Sequence, residues 1–206
     1  WTGILLYFSF VHGRLYRLRP TQKKDRLFAL FCFTTAWATA TSAALYGSHA
    51  GLVSSLLPSV RYLGIAWCFV LCIQLQLYLS QVNYGRWIEL AVAWSLLTNA
   101  MIVAGLFFDP GVLEPFSLDH PEAELMARLT PWGAVIVGPM WTFSVGISLF
   151  SVWRVRGSKA RFWPALLFLL PLLGGAFDTL PWLLNIESLH LGLLLTPLTA
   201  FSWSSI

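Results

Sequence analysis

Stretches of apolar residues, each about as long as a membrane-spanning helix, recur along the whole chain and are separated by short polar segments. Because a bilayer core about 30 Å thick needs about 20 apolar residues per helix, this pattern predicts transmembrane helices. Seven spans are predicted, near residues 1–12, 27–47, 59–82, 88–108, 132–152, 163–184 and 190–206. The chain opens on Trp1 rather than Met and stops within an apolar run, so we expect both ends to be truncated.

Composition narrows the class of protein. Hydrophobic residues make up 57% of the 206 residues and charged residues only 11%, whereas about a quarter of the residues in a soluble domain are charged. This excludes a soluble globule, and the hydrophobicity is too high for a disordered chain. The sequence therefore predicts an all-α, polytopic membrane protein in which residues 1–206 form one seven-helix bundle.

Basic residues are distributed unevenly between the two sides of this predicted bundle. Eleven of the thirteen lie in the first, third and fifth connections: Arg14, Arg17, Arg19, Lys23, Lys24, Arg26, Arg86, Arg154, Arg156, Lys159 and Arg161. Because Lys and Arg in short loops favour the cytoplasmic side, the N-terminus is predicted outside and the C-terminal end in the cytoplasm. The net charge of +4 then reflects topology and contact with membrane lipid, and it calls for no nucleic-acid partner.

Tryptophans flank several spans. Trp87, Trp153 and Trp163 lie at the predicted inner boundary, and Trp132 and Trp182 lie at the outer one. Indole rings prefer the membrane interface, so we interpret these five as anchors.

One acidic residue stands out inside a span. Asp178 is predicted to lie in the outer half of the sixth span, where an ionisable group is costly and is by default a candidate functional residue. Arg61 and His190, both near outer helix ends, are its candidate partners. Asp178 is expected either to lock helices together or to contact a ligand, and the two roles are compatible. Gly174, Gly175, Pro171 and Pro181 predict a local interruption of the same span.

Other polar or aromatic residues within the spans are weaker candidates for a ligand site. Gln74, Asn99 and Trp67 are placed deep enough to line a central cavity. Most remaining polar groups are expected to form interhelical hydrogen bonds, namely Gln76 and the hydroxyl residues Thr34, Thr35, Thr39, Thr41 and Ser42 of the second span.

Catalytic and metal-binding patterns are absent from the sequence. The four histidines are dispersed, and no HExxH, GxSxG or phosphate-binding glycine loop occurs. Cys32, Cys68 and Cys72 lie in apolar stretches without matching histidines, so we interpret them as reduced packing residues. We expect no enzyme, cofactor or metal site within these residues.

Two segments resemble a known family. LVSSLLPSVRYLGIAWCFVLCIQLQLYLSQ is similar to the third-helix region of the seven-helix N-terminal sensor module of bacterial histidine kinases and some diguanylate cyclases. GGAFDTLPWLLNIESLHLGLLL is similar to the sixth-to-seventh helix hairpin of that module. The motifs that carry the resemblance are Arg61 to Ile65, which includes Tyr62, and Gly175 to Pro181.

The resemblance implies a receptor input module in the bacterial inner (cytoplasmic) membrane. Its seventh helix would relay a stimulus to a cytoplasmic kinase or cyclase domain, and the receptor would work as a homodimer. The ligand class stays open between a small hydrophobic molecule, a peptide and a lipid.

Three other classes of membrane protein are alternatives to the sensor. A carrier or membrane assembly subunit would use Asp178 as its polar site, and a structural anchor would only localise an output domain. A retinal protein is disfavoured because all three lysines, Lys23, Lys24 and Lys159, lie in predicted loops and none lies in the seventh span.

Overall fold

The structure of the protein is a computed structural model that describes residues 2–47, 52–82, 85–115 and 125–184. In these ranges the elements, in chain order, are α1 (Thr2–Leu18), α2 (Lys23–Gly47), α3 (Leu52–Leu79), α4 (Gly85–Val103), β1 (Phe108–Pro115), β2 (Leu125–Leu129), α5 (Pro131–Val155) and α6 (Lys159–Leu184). The helices coincide with the first six predicted spans to within seven residues at either end. The seventh predicted span, 190–206, lies outside the described residues.

The protein is a mostly helical membrane protein. Three segments of the described helices are long and apolar enough to cross a bilayer, namely Lys23–Ala44, Leu56–Leu79 and Pro131–Val155. Large apolar side chains such as Phe10, Val103 and Trp132 are exposed on the outside of the bundle. Lipid rather than water is the solvent that accommodates such a surface.

The prediction of an all-α fold needs one correction. β1 and β2 form an antiparallel pair in which Phe108 lies opposite Leu129 and Leu113 opposite Ala127, with an irregularity between these two positions. The predicted fourth span ran to residue 108, but α4 ends at Val103. Gly105 explains the difference, because it adopts a left-handed conformation with φ of 69° and so ends the helix.

The hydrogen bonds at this helix end confirm the cause. The Gly105 N–H donates to the Ile102 carbonyl at 3.1 Å, and the Leu106 N–H donates to the Met101 carbonyl at 2.9 Å. This pair of bonds satisfies carbonyls that would otherwise be left unpaired at the end of a helix. The chain is thereby redirected into β1.

Helix α5 begins at a well-formed cap. The Thr130 hydroxyl accepts a hydrogen bond from the Gly133 N–H at 3.0 Å, and Pro131 occupies the first helical turn, where its missing N–H costs nothing. The same hydroxyl donates to the Leu106 carbonyl at 2.6 Å. One side chain therefore starts α5 and ties it to the segment that follows α4.

Helix α3 is the central element of the fold. It contacts α2, α4, α5, α6 and both strands. At one end of the bundle, a buried cluster joins Phe28 of α2, Leu79 of α3, Val155 of α5 and Ala165 of α6. Because the α1–α2, α3–α4 and α5–α6 connections meet there and carry most of the basic residues, we call it the basic end.

The opposite end of the bundle is covered by the strands. Tyr62 of α3, Phe107, Leu129 and Ile136 of α5 belong to one cluster there, and we call this the hairpin end. Helix α6 runs between the two ends without a break. The predicted interruption at its proline and glycine residues is therefore not seen in the backbone.

Candidate functional site

Hydrogen bonds between neighbouring helices establish which residues share a level in the bundle. The Ser95 hydroxyl of α4 donates to the Ala66 carbonyl of α3 at 2.9 Å. Since α3 and α4 run in opposite directions, moving four residues toward the hairpin end on each helix brings Asn99 to the level of Tyr62. Two predicted site residues from neighbouring helices therefore lie at the same level of the bundle.

Helix α6 can be aligned with α3 in the same way. The Gln76 side-chain N–H of α3 donates to the Ala165 carbonyl of α6 at 3.1 Å, and Phe69 and Leu172 share a buried cluster seven residues further along each helix. Continuing this register places the Asp178 backbone at about the level of Leu63. The backbone of Asp178 is thus within one helical turn of the level of Arg61, at about 1.5 Å of rise per residue.

Tyr62 lies in an aromatic cluster beneath the hairpin. Its ring is 5.1 Å from the Phe108 ring in an edge-on arrangement and 5.6 Å from the Phe107 ring. Trp94 and Trp141 pack against the same cluster. The cluster, which we call the hairpin-end cluster, consists of Tyr62, Phe107, Phe108, Trp94 and Trp141.

Of the four polar site residues predicted at this level, the structure describes the side chains of Asn99 and Arg61 but not those of Asp178 and His190. Asn99 is half-buried, and its buried side-chain carbonyl oxygen has no hydrogen-bond partner among the described residues. A buried acceptor left unpaired costs about 1–3 kcal/mol. Arg61 is half-buried at the same level. The Asp178 side chain and all of His190 lie outside what the structure describes, so their pairing with Arg61 stays a prediction.

Two predicted site residues lie further from this level. Trp67 is half-buried and packs with Val70 and Ile73 toward α4 and α5. Gln74 is half-buried and lies thirteen residues from Arg61 on α3, about 20 Å along the helix axis. The structure places Arg61, Tyr62, Asn99 and the backbone of Asp178 at about the same level along the bundle, and it places Gln74 at a different level.

A second polar group lies between α3, α5 and α6 near the basic end. The backbone carbonyl of Gln76 accepts hydrogen bonds from the Ser80 hydroxyl at 3.0 Å and from the Ser151 hydroxyl of α5 at 3.1 Å. All three residues are buried, and Gln76 and Ser151 are fully inaccessible. Together with the Gln76–Ala165 bond, this network connects three helices through one residue.

The prediction that Gln76 forms an interhelical hydrogen bond is confirmed, but the α5 serines were not predicted to take part. Their sequence signal is spacing: Ser144, Ser148 and Ser151 recur at intervals of four and three residues, which places them along one face of a helix. All three are buried. The Ser148 hydroxyl and the Gln76 side-chain carbonyl have no hydrogen-bond partner among the described residues.

A side-chain hydrogen bond joins α1 to α2 at the basic end. His12 Nδ1 lies 2.9 Å from a carboxylate oxygen of Asp25, with the two side chains 11% and 7% exposed. The Phe28 ring packs edge-on against the imidazole at 4.7 Å. No sequence pattern singled out His12, because its partner is thirteen residues away and becomes a neighbour only where the chain reverses direction between α1 and α2.

The hydroxyl residues of α2 fulfil the predicted interhelical role only in part. Thr39 lies 3.0 Å from the Thr2 hydroxyl of α1, and Thr35 lies 3.4 Å from the Cys68 sulfur of α3. Thr41 and Ser42 instead donate to carbonyls of their own helix. A hydroxyl one turn from a carbonyl can always be satisfied locally, so residue type alone does not identify the partner.

The cysteines are free thiols between α2 and α3. Within the described ranges, no group of three His, Cys, Asp or Glu residues is arranged to hold a metal ion.

Comparisons with protein-family models, curated proteins and solved structures found no significant match to this chain. The resemblance to seven-helix sensor modules therefore rests on the two sequence segments alone. The observations that bear on function are the hydrogen bonds and packing between α3 and its neighbours α4, α5 and α6.

Proposed function

We propose that the chain is the membrane-embedded input module of a bacterial signal-transduction receptor of the histidine kinase type. The observation that carries this proposal is the arrangement of polar groups along α3. One end of α3 bears Arg61 and Tyr62 at the level of Asn99, and the other bears Gln76, which is hydrogen-bonded to both α6 and α5. A shift of α3 at the hairpin end would therefore also move its hydrogen-bonding partners α5 and α6 at the basic end.

The stimulus would act at the hairpin end. We propose that Asp178 pairs with Arg61 there, with Asn99 and Tyr62 beside the pair and His190 as the competing partner. The unpaired Asn99 oxygen offers a hydrogen-bond acceptor, and the hairpin-end cluster offers aromatic surface. A small hydrophobic molecule, a peptide end or a lipid could use both, since ligand sites combine apolar surface with a few polar groups.

The change in helix arrangement would be transmitted to the cytoplasmic side at the basic end. Differential binding to two helix arrangements is the only way in which a ligand can shift their populations. In this proposal, α3 transfers such a shift to α5 and α6 through Gln76, and the predicted seventh span, 190–206, carries it to a cytoplasmic output domain. Two copies of the chain would act together as a homodimer.

Orientation in the bacterial inner membrane follows from charge. Of the basic residues in the described ranges, those of the α1–α2 and α5–α6 connections lie at the basic end. The positive-inside rule supports a cytoplasmic location for this end and an external location for the hairpin.

The test is made on the whole gene product that contains this chain. We expect Asp178→Asn and Arg61→Gln to shift basal autophosphorylation or cyclic-dinucleotide synthesis in the same direction, because either change breaks the same pair. Asp109→Asn is the matched control, since Asp109 is an exposed acidic residue at the hairpin end.

Two outcomes would contradict the proposal. Unchanged output in both variants would remove the site from signalling. Solute flux into proteoliposomes that is lost in Asp178→Asn would instead favour the carrier.

A further inference from the structure

The α5–α6 connection carries positive charge that nearby protein groups do not balance. Four cations, Arg154, Arg156, Lys159 and Arg161, fall within eight residues. No Asp or Glu occurs anywhere from residue 125 to residue 177, a stretch that includes all of α5 and most of α6. Intrahelical ion pairing is therefore impossible for these four side chains.

Carboxylates from other elements are scarce at the basic end. Asp25 is buried and lies 2.9 Å from His12. Glu89 lies on α4, one turn from Arg86 on the same helix. Against these two stand all eleven basic residues of the three connections, so the described residues offer the α5–α6 cations no free carboxylate partner.

Aromatic side chains fix the depth of this connection in the membrane. The rings of Trp153 and Trp163 are 57% and 58% exposed on either side of the turn. Exposed indoles of membrane proteins prefer the headgroup level of the bilayer. The Arg156 guanidinium lies 5.3 Å from the centre of the Trp153 ring, which is within cation–π range and restrains the cation beside that ring.

We propose that the α5–α6 turn binds the headgroup of an anionic glycerophospholipid, with Arg156, Lys159 and Arg161 contacting its phosphate and Trp153 and Trp163 packing at the glycerol level. A zwitterionic lipid carries its own cation and would leave the positive charge of the turn unbalanced. The inference is independent of the proposed sensor function, because it depends only on this turn and its place at the membrane surface.

The experiment compares lipid retention by two charge-matched variants. One carries Arg156→Gln, Lys159→Gln and Arg161→Gln, and the control removes three charges from the other basic connection through Arg14→Gln, Arg17→Gln and Arg19→Gln. Purified protein in detergent is titrated with phosphatidylglycerol or with phosphatidylcholine of the same acyl chains, and bound lipid is counted by native mass spectrometry.

We expect wild type to retain phosphatidylglycerol in preference to phosphatidylcholine. The α5–α6 variant should lose at least about tenfold in phosphatidylglycerol affinity, because it removes three of the four cations that attract the anionic headgroup. The control should lose no more than about a third as much. Quenching of Trp153 by brominated phosphatidylglycerol, measured against Trp153→Phe, tests the position independently of how well the triple variant folds.

Three results would overturn the proposal. Equal losses in the two variants would show that net charge and not this turn governs binding. Equal retention of the two lipids by wild type would remove the headgroup preference. Displacement of phosphatidylglycerol by millimolar inorganic phosphate would mean that the turn recognises a free anion.

Discussion

At the scale of single residues, the two serines nearest the basic end of α5 have opposite hydrogen-bonding states. The Ser151 hydroxyl donates to the Gln76 carbonyl of α3 at 3.1 Å. The Ser148 hydroxyl is equally buried but has no hydrogen-bond partner among the described residues. Comparing Ser151 with Ser148 therefore distinguishes the stability that a hydrogen-bonded hydroxyl contributes from the stability that an unpaired buried hydroxyl costs.

Alanine substitutions should therefore have opposite effects on stability. We expect Ser151→Ala to lower the free energy of unfolding by about 0.6 kcal/mol, the usual size of an interhelical hydrogen bond in a membrane protein. Ser148→Ala should leave stability unchanged or raise it, because it removes a polar group that the protein fails to satisfy. The measurement is reversible unfolding in mixed detergent micelles. A larger loss for Ser148→Ala than for Ser151→Ala would contradict the described network.

The His12–Asp25 pair should couple α1 to α2 energetically. Both side chains are largely buried, and removing one partner of such a pair leaves the other without compensation. In a double-mutant cycle with His12→Ala and Asp25→Ala, we expect each single change to destabilise the protein and the coupling energy to exceed about 1 kcal/mol. Additive effects of the two changes would mean that the contact contributes nothing.

Polar residues in the spans were predictable as a class, whereas their partners were not. Gln76 could be expected to form an interhelical hydrogen bond because its amide lies within an apolar stretch. Its acceptor, the Ala165 carbonyl, depends on the register between α3 and α6, which no residue type encodes. The same reason explains why the His12–Asp25 pair and the role of Ser151 were missed.

At the scale of elements, the start of α5 is held close to the segment that follows α4. A Cβ atom added at Gly133 would lie 2.5 Å from the Phe107 carbonyl oxygen, which belongs to the backbone and cannot rotate away. A Cβ atom at Gly146, on the same helix, would meet nothing within 4 Å. The first of these glycines is therefore required for close packing of α5 against the segment after α4, whereas the second has room for a side chain.

Alanine at the two positions should distinguish them. We expect Gly133→Ala to destabilise the protein by about 1–3 kcal/mol through overpacking. Gly146→Ala should be neutral or stabilising by up to about 1 kcal/mol, because alanine is the better helix former. Thermal unfolding in detergent measures both changes. Equal melting temperatures for the two variants would show that the hairpin end is not packed as described.

The ends of elements show where sequence patterns lose their predictive power. Hydropathy alone extended the fourth span to residue 108, since Leu106, Phe107 and Phe108 are apolar. The helix ends at Val103 because Gly105 is free to adopt positive φ. Gly105 was the available signal for this boundary, whereas the pairing of β1 with β2 depends on contacts across a nine-residue separation.

At the scale of the whole molecule, α3 connects the candidate site to the basic end. The positions of the six described helices could be predicted because apolar stretches of about the length that a bilayer requires recur along the chain, and three of these helices contain segments long and apolar enough to cross a bilayer. The alignment of Asn99 with Tyr62 could not, because it depends on the offset between helices. Coupling between the two ends of α3 is the central claim about function.

Pulsed EPR distances at the basic end test that claim most directly. Spin labels at Thr21 and Ser158, both exposed in their turns, are attached in a variant whose three native cysteines are replaced by alanine, and the protein is reconstituted in nanodiscs. We predict that Asp178→Asn at the far end shifts the distance distribution by about 1–2 Å or more, the scale of helix displacement in switching proteins, and that Asp109→Asn does not. An unchanged distribution in a correctly folded Asp178→Asn variant would contradict the coupling.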